Sequence, residues 1–88
     1  MNFRRLERAV RGFSNHRRIQ ILELLQQDPE LSVEEIASTL RTNYKTAAEH
    51  IRRLAIADLV IKRNEANTVR HKITPRAAAV LKFLRTLE

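Results

Sequence analysis

The sequence has no cysteine and no tryptophan, a single glycine and only two prolines. Without cysteine the chain can form neither a disulfide framework nor a zinc site built on thiolates. With one glycine it cannot form the glycine-rich loop by which many nucleotide-hydrolysing enzymes hold phosphates. It also lacks a run of about 18 apolar residues, the minimum for a membrane-spanning helix. These absences argue against a secreted disulfide-rich protein, a thiolate metal site, a P-loop enzyme and an integral membrane protein.

Positive charge is the most pronounced feature that the sequence does have. Its 88 residues include 17 Lys and Arg against 10 Asp and Glu, which gives a formal net charge of +7. Residues 28–42 are the one net acidic stretch, and basic segments lie on both sides. A polyanion is the expected partner of such a chain, with nucleic acid first and an anionic membrane surface second. The length allows one domain, which we place over residues 1–88.

Hydrophobic periodicity predicts a mainly α-helical chain with the element order α-α-α-α-β-β-α. The first helix spans about residues 2–11, and Gly12 is expected to end it. The second helix follows a cap at Ser14 or Asn15 and ends before Pro29.

Capping residues predict where the remaining three helices begin. The third helix opens at Ser32, where Glu35 completes a capping box. The fourth begins after Asn43 and runs to about Ala57, and the fifth begins at Thr74, followed by proline. Together these signals give four helices, a pair of strands and a last helix.

Beyond the fourth helix the period of the apolar residues changes from 3.6 to 2. The alternation predicts a β-hairpin over residues 59–74 with an apolar face inward and a basic face outward. In its first strand Leu59, Ile61 and Arg63 share one face. The turn is expected within residues 64–67, where two asparagines tolerate turn conformations.

Residues 32–57 fit a helix-turn-helix, because two short helices are separated by about three residues. The second helix of such a motif can enter the major groove, and the hairpin would then lie as a wing beside the phosphate backbone. With Ala47, Ile51 and Leu54 facing the core, the opposite face of that helix is free. The predicted DNA-contacting residues of the helix and the wing are Asn43, Tyr44, Lys45, Thr46, Ala48, Glu49, Arg52, Arg53, Lys62, Arg63, Arg70 and Lys72.

Glu49 has two interpretations at this stage. It could accept a hydrogen bond from cytosine N4, or it could pair with Lys45 or Arg53 at helical spacing. Arg52 and Arg53 suit phosphate contacts better than base reading. A basic helix face is also compatible with simple solvation, so these residues carry a functional prediction only together with the hairpin.

The sequence resembles the ArsR-type winged helix-turn-helix regulators over residues 15–75. The resemblance is carried by the segments NHRRIQILELL (15–25), LSVEEIA (31–37), AEHIRRL (48–54), DLV (58–60) and HKIT (71–74). It implies a three-helix core with a β-hairpin wing and a role in transcription. It also implies a homodimer joined through the first and last helices, residues 1–13 and 75–88.

Both terminal helices carry apolar stripes that agree with this implied dimer. The alternative is that the two helices pack within one monomer. The expected interface residues are Phe3, Leu6, Val10, Phe13, Val80, Leu81, Leu84 and Leu87.

The sequence departs from the family pattern at several positions. Metal-sensing members use cysteines in the first motif helix or histidine and acidic residues in the last helix, and this chain has neither set. Asp58 stands where a glycine usually precedes the wing, and Ala48 replaces a common polar residue. The three histidines, His16, His50 and His71, are too scattered for a metal-ligand pattern. We therefore expect no metal, no cofactor and no catalytic site, and no small-molecule effector can be identified.

The sequence thus predicts a transcriptional regulator that binds double-stranded DNA sequence-specifically as a homodimer. Its expected location is the cytoplasm, in association with the nucleoid rather than a membrane. The alternatives are a winged-helix module for protein or RNA partners and a non-specific DNA-binding protein of the chromatin type.

Overall fold

The computed structural model describes all 88 residues as five helices and one two-stranded antiparallel hairpin. Their order, α-α-α-α-β-β-α, is the predicted one. None of the five helices combines the length and hydropathy that a bilayer crossing requires. The elements are α1 (Phe3–Phe13), α2 (His16–Gln27), α3 (Val33–Leu40), α4 (Tyr44–Ile56), β1 (Val60–Glu65), β2 (Thr68–Ile73) and α5 (Pro75–Arg85).

A side-chain cap starts every helix. Each capping oxygen accepts a hydrogen bond from a backbone N–H of the first turn, which would otherwise have no partner within the helix. Ser32 and Glu35 form the predicted capping box in both directions. The caps are Asn2, Asn15, Ser32, Asn43 and Thr74.

The core lies between α2, α3, α4, α5 and the base of the hairpin. The predicted inner face of the fourth helix is confirmed, because Ala47, Ile51 and Leu54 are all buried. One polar side chain, that of His71, is also fully buried. The largest fully buried side chains are Ile21, Leu22, Leu25, Ile36, Ile51, Leu54, Leu59 and His71.

Gly12 does not end the first helix, contrary to the prediction. α1 continues through Gly12 to Phe13, and Gly12 is buried. A Cβ added at this position would overlap the Cβ of Ala57, which follows the end of α4. Glycine therefore serves the close approach of two backbones here rather than the termination of a helix.

The register of the hairpin corrects the predicted faces of its first strand. Val60 pairs with Ile73 at the base, and Lys62 pairs with His71. Val60 is buried, whereas Ile61, which was expected on an inward apolar face, is 52% exposed. Because side chains alternate along a strand, the inner face therefore carries Lys62, and the outer face carries the wing's arginines.

The turn of the hairpin is shorter than predicted. β1 extends to Glu65 and β2 starts at Thr68, so only Ala66 and Asn67 connect them. Ala66 adopts a positive φ of 54°, a conformation that glycine, asparagine and aspartate tolerate better than alanine. Asn64 belongs to the strand and takes no part in the turn.

The segment before α3 pairs with β2 through an isolated β-bridge. Leu31 forms an antiparallel bridge with His71, in which the backbone N–H of Glu30 donates to His71 O at 2.9 Å and that of His71 to Leu31 O at 3.1 Å. This pairing places the side chain of Glu30 on the outer face of the wing.

The predicted dimer residues divide into buried and exposed groups. Leu81 is a correction, because it is 3% exposed and belongs to the core of the single chain. Phe13 and Val80 pack against the same core, and Leu84 is half-buried. Phe83, which was not predicted, is 59% exposed on α5. The predicted residues that remain exposed are Phe3, Leu6, Val10 and Leu87.

Candidate nucleic-acid interface

Three residues, 41–43, connect α3 to α4, as the helix-turn-helix prediction required. Arg41 is in the left-handed region at φ 55° and ψ 46°, and the backbone N–H of Thr42 donates to Ala37 O at 3.0 Å. Asn43 then caps α4 by accepting from the Thr46 N–H at 2.8 Å. The turn is therefore held at both ends by hydrogen bonds, and the first turn of α4 has a defined position relative to α3.

The first turn of α4 presents three exposed side chains. Tyr44 is 57% exposed, and Lys45 and Thr46 are also exposed. No carboxylate lies within 4 Å of the Lys45 ammonium, so its charge is unpaired. Ala48 is half-buried one turn further along. This turn offers one free cation beside a phenol and a hydroxyl, a set suited to hydrogen bonding with base edges or phosphates.

Glu49 pairs with the arginines that follow it and not with Lys45. Arg52 donates to it twice, from Nε at 2.7 Å and from Nη2 at 2.9 Å, and Arg53 Nε lies 3.7 Å away. The hydrogen bonds from Arg52 lower the pKa of Glu49, and the same contact raises the pKa of Arg52. In the unbound chain Arg52 is therefore a paired cation, and a phosphate would compete with Glu49 for it.

The outer face of the wing carries a network of ion pairs. Arg63 Nη2 lies 2.7 Å from a carboxylate oxygen of Glu30, and Arg70 contacts Glu35 at 3.3 Å and Glu65 at 3.1 Å. The hydrogen bond from Arg63 lowers the pKa of Glu30. Three carboxylates thus surround two guanidinium groups, so neither arginine on this face is an unpaired cation.

A groove of about 440 Å³ separates the wing from the helix-turn-helix. Lys62 enters it from the inner face of the wing, opposite Tyr44 and Ala48 of α4. Lys62, like Lys72 on the outer face, has no carboxylate within 4 Å. The lining includes residues that the sequence did not predict as DNA contacts: Ser32, Val33, Glu34, Asn67, Thr68 and Val69.

Ion pairing with carboxylates separates the lysines from the arginines among the predicted DNA-contacting residues. The lysines at positions 45, 62 and 72 are free, and the arginines at positions 52, 53, 63 and 70 have carboxylate partners. Lys62 of β1 lines the groove, and Lys45 follows Tyr44, a groove residue on the first turn of α4. The correct strand register would have predicted that Lys62 faces the groove, because the register determines which side chains of β1 point inward.

Two of the three histidines have hydrogen-bond partners within the fold. His71 Nδ1 is 2.8 Å from Leu31 O, and burial lowers the pKa of this imidazole. His50 Nδ1 accepts from Arg18 Nε at 3.2 Å, and burial together with the nearby Arg18 lowers its pKa as well. No three His, Asp or Glu side chains are grouped closely enough to hold a metal ion.

Comparison with known proteins places this geometry in a family. The family model described as "winged helix-turn-helix DNA-binding" matches residues 14–60, which include α2, the helix-turn-helix and the start of the wing. No curated protein sequence matches the chain.

Solved structures of regulators are similar over nearly the whole chain. The homodimeric winged helix-turn-helix DNA-binding domain of a possible ArsR-family regulator from Mycobacterium bovis is 29% identical, with a TM-score of 0.87 over 97% of this chain and 79% of that one. Reduced HlyU from Vibrio cholerae is 31% identical, with a TM-score of 0.83 over 98% and 90% of the two chains. The transcriptional regulator HlyU from Vibrio vulnificus is also 31% identical, with a TM-score of 0.79 over the same shares. The chain therefore belongs to the winged helix-turn-helix DNA-binding family, and its resemblance to ArsR-type regulators is confirmed.

Proposed function

We propose that this protein is a transcriptional regulator that binds double-stranded DNA sequence-specifically as a homodimer. The observation that carries the proposal is the exposed first turn of α4, with the unpaired Lys45, next to a groove that the unpaired Lys62 of the wing lines. Family membership supports DNA as the ligand. No catalytic role is proposed, and the expected location is the cytoplasm, on the nucleoid.

In this proposal residues 43–57 enter the major groove. A helix with its side chains is about 10–12 Å wide, which matches the width of roughly 12 Å of that groove. The N-terminal turn would read base edges through Tyr44, Lys45 and Thr46. Arg52 and Arg53 would exchange Glu49 for phosphates, and Lys62 would follow the backbone beside the wing.

Two observations support the homodimer: exposed apolar side chains near both termini, and similarity to a homodimeric structure. Exposed apolar side chains lie on α1, on α5 and just after α5: Phe3, Leu6, Val10, Phe83 and Leu87. A similar structure from Mycobacterium bovis is described as homodimeric. A two-fold dimer would place two α4 helices on two half-sites of one duplex.

A selection of bound sequences from a random duplex pool tests the specificity. We expect one enriched motif with two related half-sites. Equal affinity for selected and random duplexes would support a non-specific chromatin-type protein instead. Failure to bind any duplex at low salt would leave a module for protein or RNA partners and would reject the proposal.

The role of α4 is tested with Lys45→Ala. The matched control is Lys82→Ala, at an exposed position of α5. We expect Lys45→Ala to weaken binding to the selected duplex about tenfold or more, in line with roughly 1–3 kcal/mol for a specific base contact. Lys82→Ala should leave the affinity nearly unchanged in the same electrophoretic shift assay. Equal losses in both variants would contradict the assignment of α4 as the reading helix.

A further inference from the structure

A second concentration of positive charge lies at the far end of α4 from its first turn. A cleft of about 740 Å³ is bounded by α1, the start of α2, the end of α4 and the start of α5. Since α4 has 13 residues, its far end is roughly 20 Å from its start. Asp58 is the only acidic residue in its lining. Its six arginines are Arg5, Arg8, Arg11, Arg18, Arg53 and Arg76.

Two of these arginines are held in place by neutral acceptors. Arg18 donates from Nε to His50 Nδ1 at 3.2 Å and from Nη1 to Arg11 O at 3.2 Å, near the C-terminus of α1. Arg76 donates to Ala57 O at 3.1 Å, next to the end of α4. Carbonyl and imidazole partners orient a guanidinium without cancelling its charge, so both groups are positioned and remain fully cationic.

Two more arginines have no partner at all. The side chains of Arg5 and Arg8 form neither a hydrogen bond nor an ion pair. Arg11 pairs with Glu7 at 3.3 Å, and Arg53 lies 3.7 Å from Glu49. Four of the six guanidinium groups therefore lack a carboxylate.

The arginines on the outer face of the wing differ from most of those in the cleft, because they have carboxylate partners. There, two arginines are surrounded by three glutamates, so both guanidinium charges are neutralised without a ligand. In the cleft six arginines repel one another against a single acidic residue, and a concave surface lined mainly by one sign concentrates the field. A bound anion would remove this repulsion.

We propose that the cleft binds a small ligand with several phosphate groups, such as a nucleoside polyphosphate. Guanidinium groups recognise phosphate oxygens with paired, parallel hydrogen bonds, and several of them suit an anion with several phosphates. The volume lies within the range of about 300–1,000 Å³ that is typical of small-molecule sites. Ile56, which is 68% exposed in the lining, offers an apolar contact for the organic part of the ligand. Duplex DNA is a poorer match, because residues from four elements bound the cleft.

Isothermal titration with sodium tripolyphosphate tests the site. The variant Arg5→Gln with Arg8→Gln removes two guanidinium groups that form no hydrogen bond or ion pair, so we expect the fold to be retained. The matched control, Arg4→Gln with Lys82→Gln, removes the same charge outside the cleft. We expect the wild type and the control to bind equally and the cleft variant to bind at least tenfold more weakly. Absence of binding to the wild type, or equal weakening of both variants, would overturn the proposal.

The same two variants separate a free anion from DNA phosphates. We expect their affinities for a duplex, measured over a range of salt concentrations, to decrease by the same amount. A larger loss of duplex affinity and a smaller salt slope for the cleft variant alone would assign these arginines to DNA and reject the small-ligand site. The tripolyphosphate titration and the duplex comparison do not depend on whether α4 and the groove beside the wing bind DNA.

Discussion

Gly12 shows how one residue controls the packing of a whole helix. It is the chain's only glycine, and it lies inside α1, where helical propensity alone would favour alanine. Its hydrogen occupies the space in which a methyl group would overlap Ala57. The contact brings α1 close to the end of α4, and it thereby forms one wall of the arginine cleft.

Gly12→Ala should lower the free energy of unfolding by about 1–3 kcal/mol, because overpacking outweighs the gain in helix propensity of roughly 1 kcal/mol. Denaturant unfolding followed by circular dichroism measures this. Adding Ala57→Gly should recover part of the loss, since it removes the opposing methyl group. A single variant as stable as the wild type would show that α1 can shift without cost.

His71 predicts how stability depends on pH. Burial holds its pKa below the ordinary value of 6.5, so on acidification the unfolded chain takes up a proton at this residue before the folded chain does. The free energy of unfolding should therefore be constant above about pH 6.5 and decrease as the pH falls below that value.

Denaturant titrations at several pH values check this expectation. His71→Gln should flatten the acid side of the profile in part, because His50 acts in the same direction. The matched His16→Gln, at an exposed position, should keep the wild-type profile. A His71 variant with an undiminished acid slope would contradict the assignment.

At the scale of elements, the wing combines two different surfaces. Alternation along β1 sends Lys62 into the groove and Arg63 to the outer face, where Glu30 meets it. Arg63 and Arg70 join β1 and β2 to the segment before α3, so their first role is within the fold. Lys62 has no such role, and it is the wing cation that faces α4.

Lys62→Ala should reduce the slope of log affinity against log salt by about one unit, since one phosphate contact is lost. Arg63→Ala should reduce it by less, because a carboxylate already neutralises that guanidinium. Fluorescence anisotropy with one duplex at several salt concentrations compares the two. A greater effect of Arg63→Ala would mean that DNA displaces Glu30 from the wing.

At the scale of the whole molecule, the distribution of apolar surface points to a second copy. Phe3 is 77% exposed and Val10 51% exposed on α1, while Phe83 on α5 and Leu87 just after it are exposed as well. α1 packs against α2 and α4 and leaves this stripe in solvent. Its burial would need another chain, and a two-fold axis would let the same stripe serve both copies.

Val10→Glu should convert a dimer of about twice 10.3 kDa into a monomer, because it places a charge in the proposed apolar interface. Sedimentation equilibrium measures the mass. Ile61→Glu on the wing, where the side chain is 52% exposed, is the matched control and should leave the dimer intact. An unchanged mass for Val10→Glu, or a monomeric wild type, would reject this interface.

The local sequence determined the order of the elements, their caps and the buried face of α4. These features depend on residues a few positions apart: Ser32 with Glu35, Asn43 with Thr46, and the stripe from Ala47 to Leu54. Hydrogen bonds and periodicity at this spacing form within one helix, and they can be predicted without its neighbours.

The tertiary structure alone decided which charges are free and which apolar residues are exposed. Arg63 meets Glu30 from 33 positions away, and Arg18 meets His50 from 32 positions away. The inward face of β1 and the burial of Leu81 depend on strand register and helix packing. Lysines at the groove, arginines in the cleft and the bare stripe of α1 are consequences of contacts between distant segments, and no local pattern specifies them.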